Sequence, residues 1–307
     1  MEVIGGEANT QVEVRESGCT FQFDFAKVYW NSRLQMEHAR LIDVVSSSFP
    51  DRTPAEVRVC DMMAGVGPFA VPLARRGHTV FANDLNPESH SSLVLNARRN
   101  KCENKLTASN QCGRTFARGL MSQGQAFDHA ILNLPNSALE FLDVFKGIDW
   151  SALGFPHPPW VHVYCFSKEE DPVQDAIDRA NTVMETAFTK FDIKVHHVRD
   201  VAPKKPMLCL SFPAPDLGSG GAEGGVQGDN SRGDGKMQKI EQIPVGKNPG
   251  RGGIGVTVGE ELERGLGGVG VTSNLVNCTG DGCRDVGNGE GEGTESVTPD
   301  AKRKRVS

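Results

Sequence analysis

Between Val57 and Pro87 the chain reads Val-Arg-Val-Cys-Asp-Met-Met-Ala-Gly-Val-Gly-Pro-Phe, then a helix-like apolar run, then Thr-Val-Phe-Ala-Asn-Asp-Leu-Asn-Pro. A strand, a glycine turn, a helix, a second strand and an acid in that order leave few choices of fold. The β-branched Val57 and Val59 suit a buried strand, and Gly65 and Gly67 let the backbone approach a ligand closely where the helix begins. Asp84 falls just past the second strand, where an acidic side chain can hold ribose hydroxyls in a βαβ nucleotide site. The spacing predicts a site for one adenosine-containing ligand. A Gly-x-Gly pair alone fits a tight strand-to-helix turn without any ligand equally well. The dinucleotide fingerprint asks for a third glycine where Ala70 stands, which weakens NAD without excluding it.

Composition divides the 307 residues unevenly. All 20 aromatic residues lie at or before Phe212, whereas 24 of the 35 glycines lie after it. A stretch without aromatics cannot bury enough apolar surface to offset its ordering entropy, so a folded core up to about Phe212 and a disordered tail are expected. The formal charge of -6 divides equally, -3 on each side of Phe212. That leaves no bulk basic field, and a nucleic-acid partner would rely on local cations such as Arg114, Arg118, Arg199, Lys204 and Lys205. The eight cysteines include no Cys-x-x-Cys pair and read as small buried hydrophobes of a reducing compartment rather than a disulfide framework or zinc site. No run is long and apolar enough to span a membrane, and the first residues lack a secretory signal, so a soluble intracellular protein is expected.

In chain order, Gln11 to Tyr29 alternates apolar and polar residues around Ser17-Gly18 and reads as a hairpin. Leu34, His38, Leu41 and Ile42 stand at helical spacing; Glu37 and His38 lie beside that stripe. Glu37 fits a solvated face paired to Arg40 three residues on, or a general base if it enters a cofactor cleft. Helices are expected at Ser89–Asn100, Leu139–Phe145 and Pro172–Lys190. Strands are expected at Leu106–Asn110, Phe127–Leu132, Trp160–Phe166, Ile193–Val201 and Met207–Phe212. Such alternation fits an α/β sheet of the class I Rossmann-like methyltransferase kind with one antiparallel strand. Asn133-Leu134-Pro135 follows a strand at the edge where open α/β sheets bind ligands; it reads as a strand-ending turn or as a carboxamide aligning a planar base. His162, His196 and His197 lack a metal-ligand arrangement and read as core or strand-face residues. Lys302-Arg303-Lys304-Arg305 is a solvated terminal charge run or a nuclear localisation patch.

Asp61 with Ala64-Gly65-Val66-Gly67 resembles the first motif of class I S-adenosylmethionine-dependent methyltransferases. Several longer segments extend the likeness. They are Asp24-Phe25-Ala26-Lys27-Val28-Tyr29-Trp30-Asn31-Ser32-Arg33-Leu34 with Glu37-His38, Ala82-Asn83-Asp84-Leu85-Asn86-Pro87, Asn133-Leu134-Pro135-Asn136-Ser137-Ala138-Leu139-Glu140-Phe141-Leu142, and Val198-Arg199-Asp200-Val201-Ala202-Pro203-Lys204-Lys205. Together they closely resemble the eukaryotic and archaeal tRNA (guanine(37)-N1)-methyltransferase family, from about Met1 to Phe212. The resemblance implies methyl transfer from S-adenosyl-L-methionine to N1 of guanosine 37 of tRNA. It makes Glu37 the base, has Asn133 position the guanine, and puts Arg33 close to that base. His38, Asp84, Leu85, Asn133 and the turn of Gly65 and Gly67 match cofactor positions, as do Cys112 and Gly113, where the family usually has Asp-Gly-Arg. Cys112 therefore removes a carboxylate expected beside the adenine, a loss on the order of 1 to 3 kcal/mol. No metal is implied.

Against that family, Met1 to Gly6 looks like the interior of a longer N-terminal region carrying a small tRNA-recognition domain and a charge-stabilising arginine. The expected division is a linking-domain remnant (1–32, the hairpin), a methyltransferase domain (33–213) and a Gly-rich tail (214–307). The resemblance also implies a monomer in cytoplasm, mitochondrial matrix and nucleus. Two alternatives share the fold: the aminocarboxypropyl transferase of wybutosine synthesis, and a truncated, non-catalytic cofactor- or RNA-binding relative.

Overall fold

The computed structural model describes residues 9–217. The expected tail, with its basic patch, lies outside them. Two antiparallel strands come first, β1 (Gln11–Glu16) and β2 (Cys19–Asp24), joined through Ser17 and Gly18. Both turn residues have positive φ, 49° and 72°, as a two-residue hairpin turn that follows the strand twist requires. Alternation along β2 buries Cys19, Phe21 and Phe23. These pack in one core with Leu41 and Ile42 of helix α1 (Gln35–Ser46), which a 3-10 turn at Ser32–Leu34 introduces. The outer edge of β2 is held by side chains rather than by another strand. Asn96 accepts from the Gln22 N–H at 2.8 Å and Asn100 accepts from the Thr20 N–H at 2.9 Å. The hairpin thus shares its core with the sheet that follows.

That sheet comprises β3 (Arg58–Asp61), β4 (Thr79–Asn83), β5 (Leu106–Ser109), β6 (His129–Leu132), β7 (Trp160–Phe166), β8 (Lys194–Ala202) and β9 (Lys205–Pro213), in the order β5-β4-β3-β6-β7-β9-β8. The β3–β7 strands pair in parallel, and β9 runs antiparallel to both β7 and β8, so it is the one reversed strand. Helices α2 (Ala70–Arg75), α3 (Pro87–Arg99), α4 (Gly113–Ser122) and α5 (Pro172–Met184) are the crossovers. Apolar residues collect in two clusters. One holds Val59, Leu73, Val80 and Ile131 with the hairpin, and the other holds Leu132, Leu142, Ile177 and Phe212. Strands buried on both faces read as continuous apolar runs, which is why Val161 and Val163 alternate with His162 and Tyr164 without exposing any of them.

The helix expected at Leu139–Phe145 is a 3-10 helix, Ala138–Phe145. Two other local expectations need correction. Helix α5 ends at Met184, not Lys190, because Glu185 turns left-handed (φ 54°) and Asn181 takes over the chain beyond it. The Asn181 side chain accepts from the Phe188 N–H and donates to the Phe188 carbonyl. Helix α4 was not anticipated: it buries Phe116, Ala117 and Met121 but includes Gly113 and Gly119, whose low helix propensity hides the pattern.

Candidate active site

The order of the parallel strands reverses between β3 and β6, with β4 and β5 on one side and β7 on the other. In an open α/β sheet the crevice outside the carboxyl ends of the strands at such a point is where ligands bind. The ends of β3, β4, β5 and β6 bring Asp61, Asp84, Cys112 and Asn133 to this edge. Backbone bonds lock it: Met62 donates to the Ile131 carbonyl at 3.0 Å and Ala64 to the Asn83 carbonyl at 2.7 Å. The Asn83 carboxamide is fully used, donating to the Met62 and Gln111 carbonyls and accepting from the Gln111 N–H.

Above this frame stand groups that the protein leaves unsatisfied. Asp61 is fully buried, and neither of its carboxylate oxygens accepts a hydrogen bond of ordinary geometry; the Met63 amide is the donor that bears on it. Burial pushes its carboxyl up to about 8; the Met63 amide opposes this and the charge of Asp84 adds to it. Asn133 likewise has a buried Oδ1 without a donor. Asp84 is differently placed: its two oxygens accept from the N–H groups of Gly65 (2.8 Å) and Asn86 (2.9 Å), which pins the acid to the glycine turn. Burial still raises its carboxyl against those two bonds. A side chain at Gly65 would meet nothing within 4 Å, so open space lies over the turn, whereas one at Gly67 would collide with Val71 and Leu93. The first glycine leaves room for a ligand and the second leaves room for packing. Leu85 is exposed beside Asp84. Gly113 opens α4 with Cys112 as the preceding cap residue, and a side chain at Gly113 would lie in ordinary contact with the Met62 carbonyl and the Phe141 ring.

Glu37 is buried rather than solvated. Arg40 grips it with two hydrogen bonds of 2.6 Å, and the buried Tyr164 hydroxyl donates to its Oε1 at 2.8 Å. His196 Nε2 stands 3.2 Å from Oε2 with its ring about half exposed. Burial works against the charge of Arg40, but the Glu37 carboxylate outweighs it and keeps the guanidinium protonated. Burial lowers the His196 ring and Arg40 lowers it further. The arginine on this carboxylate is therefore Arg40; Arg33 is exposed and forms no ion pair with Glu37. His38, one residue on, is buried with its Nδ1 2.5 Å from Glu16 of β1, and its ring meets Phe69 edge-on at 4.8 Å, just beyond the glycine turn. Tyr164 and Phe69 also stack, with centroids 6.0 Å apart. The α1 acid and the strand-end groups are thus joined through one set of packed rings.

The model of the TRM5/TYW2 methyltransferase domain matches residues 12–195. The chain belongs to the TRM5/TYW2 methyltransferase family. A tRNA (guanine(37)-N(1))-methyltransferase of Phytophthora infestans is 46% identical over 220 residues, covering 70% of this chain and 50% of that protein. The chain spans about half the length of the curated relatives it matches. Among solved TRM5/TYW2 relatives, Trm5b of Pyrococcus abyssi superposes with a TM-score of 0.52 at 29% identity, over 68% of this chain and 57% of that one. Trm5 of Methanocaldococcus jannaschii, solved in complex with adenosine, gives 0.53 at 26% identity, over 69% and 59%.

Sequence reasoning within this TRM5/TYW2 domain missed Tyr164, His196 and Glu16 as neighbours of the candidate residues. No motif carries them, since each reaches the cleft through tertiary packing. Asp61 was visible as the acid of the glycine motif, but its burial without a well-formed hydrogen bond was not. Arg114 and Arg118, named as cations for nucleic acid, are instead turned onto Asp143, at 2.8 and 3.5 Å. Among the described residues no three His, Cys, Asp or Glu side chains form a metal cluster, and no helix is long and apolar enough to cross a membrane.

Proposed function

We propose that this chain transfers the methyl group of S-adenosyl-L-methionine to N1 of guanosine 37 of tRNA. The observation that carries the reading is Asp61: a fully buried carboxyl at the switch point of the sheet, whose oxygens accept no hydrogen bond of ordinary geometry, at the end of the strand that leads into the open turn at Gly65. An unpaired buried carboxylate is costly unless a cation arrives, and the ammonium group of the cofactor supplies one. The residues fit the rest of the molecule: Asp84 and Leu85 for the ribose side, Cys112 and Gly113 for the adenine, His38 and the Gly65–Gly67 turn for the remainder. The names of the relatives, and the adenosine complex of the Methanocaldococcus jannaschii protein, support the same choice.

When bound, the cofactor offers a methyl group on a positively charged sulfur. Guanine N1 carries a proton at neutral pH, so its lone pair is available only when a base removes it. Glu37 is assigned that step. Arg40 and Tyr164 fix its carboxylate in one orientation, and the longer contact, to the half-exposed His196, is the one an incoming N1–H displaces. Asn133 offers its unsatisfied carbonyl to the guanine exocyclic amine, which aligns the base. Glu37 would take the N1 proton as N1 accepts the methyl group, and the charge lost by the cofactor would balance the charge neutralised on Glu37.

We further propose residues 33–213 as the methyltransferase domain, a monomeric protein, and cytoplasm, mitochondrial matrix and nucleus as compartments. The test of function is calorimetric binding of S-adenosylmethionine, followed by incubation with unmodified tRNA and nucleoside analysis. N1-methylguanosine is expected, and none is expected when guanosine 37 is replaced by adenosine. An aminocarboxypropyl adduct, or methylation independent of that guanosine, would overturn the assignment.

A further inference from the structure

A cavity of about 370 Å³ lies one step along the sheet edge from Asn133, between the loop after β6 and the loop after β7. Pro135 and Asn136 form one wall and Phe166 and Ser167 the other; the two loops are tied by a bond from the Phe166 N–H to the Pro135 carbonyl at 3.3 Å. Three cations line it, from three separate elements: Lys168 after β7, Arg179 in α5 and Lys205 at the start of β9. Lys205 is held over the Phe166 ring with its nitrogen 4.6 Å from the centroid, and Arg179 donates to the Phe166 carbonyl at 2.9 Å. Two acids also reach the cavity. Asp175 is taken by Arg179 at 3.2 Å, which leaves Glu169 against two lysines. Neither Lys168 nor Lys205 has a carboxylate partner among the described residues, in contrast to Lys146 and Lys190, which pair with Glu185 and Asp171.

We infer that this cavity is a phosphate site for the RNA strand that presents the target base. The inference rests on the proposed RNA substrate and adds where the backbone is gripped. Asn133 reads a base edge only if that base is held out from its strand, and a strand so held passes its phosphodiester over the next feature of the sheet edge. Cations from three elements around one opening suit a tetrahedral anion, while the ring beneath Lys205 fixes a charge that would otherwise be mobile. Contacts of this kind position the strand without reading sequence.

The experiment measures binding of a fluorescent anticodon stem-loop RNA by anisotropy between low and moderate salt. It compares the unaltered chain, Lys168→Gln, and Lys168→Gln with Lys205→Gln. Each lost phosphate contact lowers the slope of log affinity against log salt by about 0.7 to 1. The expected result is a fall of about one for the pair, the contribution of the one phosphate held there, and a smaller fall for the single variant, with affinity for S-adenosylmethionine unchanged as evidence of an intact fold. A control, Lys101→Gln just past the end of α3, should leave the slope alone. Unaltered slopes in variants of a chain that binds and methylates the RNA would overturn this site and spare the proposed function. A chain that binds no RNA at all would overturn both.

Discussion

Asp61 is the group whose state a ligand changes most. In the free protein burial holds its carboxyl at about 8, so it is neutral at pH 7; beside an ammonium group it ionises. Cofactor binding at pH 7 should therefore release close to one proton, read from calorimetry in buffers of different ionisation enthalpy. Asp61→Asn should abolish that release and weaken binding. Equal heats in all buffers would exclude Asp61 as the cation's partner. Glu37 makes the opposite prediction. Glu37→Gln should cut single-turnover methyl transfer by about 10²- to 10⁴-fold and leave cofactor affinity nearly unchanged, because it acts on the substrate proton. Cys112 gives no side-chain cap to α4. Cys112→Asp should add both a cap, on the order of 0.5 to 2 kcal/mol of stability, and an acceptor for the adenine. A higher melting temperature with tighter cofactor binding is the expected pair of results; tighter binding without added stability would deny the cap.

The turn between β3 and α2 separates ligand space from packing space within three residues. Gly65 has φ 56° and Gly67 φ 100°, both in the region that side chains avoid. Gly65→Ala should cost about 1 to 2 kcal/mol from backbone strain alone and lose more in cofactor affinity than in stability. Gly67→Ala adds contacts of 2.7 Å to Val71 and 2.8 Å to Leu93, so urea unfolding should show the larger loss there. Much of this element was legible in the sequence, since strand, glycines and acid follow one another without interruption. The positions of β7 and β9 were legible as apolar runs, and α1 by the helical spacing of Leu34, His38, Leu41 and Ile42. What the sequence hid was short or tertiary: α4 behind its glycines, the left-handed stop at Glu185, and the grip of Arg40 and Tyr164 on Glu37. The last could not be read from spacing, because Tyr164 lies 127 positions from Glu37 and looks like any strand tyrosine.

Opposing titrations shape the stability of the ligand-free protein as a whole. His129 and His162 are buried and bonded to each other at 3.1 Å. Burial pushes His129 down to about 4 and His162 well below its ordinary value. The unfolded chain binds those protons near 6.5 and the folded chain does not. Stability is therefore fully present above that value and lost as pH falls toward 4, at about 1.4 kcal/mol per unit per histidine. Asp61 runs the other way. Its folded carboxyl keeps a proton that the unfolded chain gives up near 3.8, so its contribution is lost as pH rises toward 8. Urea unfolding of the free protein should show a maximum near pH 6.5, and Asp61→Asn should flatten the alkaline side and steepen the acid side, because the Asp61 titration spans both. A fall on both sides that Asp61→Asn leaves untouched would contradict the assignment of that limb. The most direct test of the central claim is nucleoside analysis of tRNA after incubation with this chain and S-adenosylmethionine at a concentration shown to saturate it. N1-methylguanosine from guanosine 37, lost in Glu37→Gln, is the predicted result. Saturated cofactor binding with guanosine 37 left unmodified would contradict it.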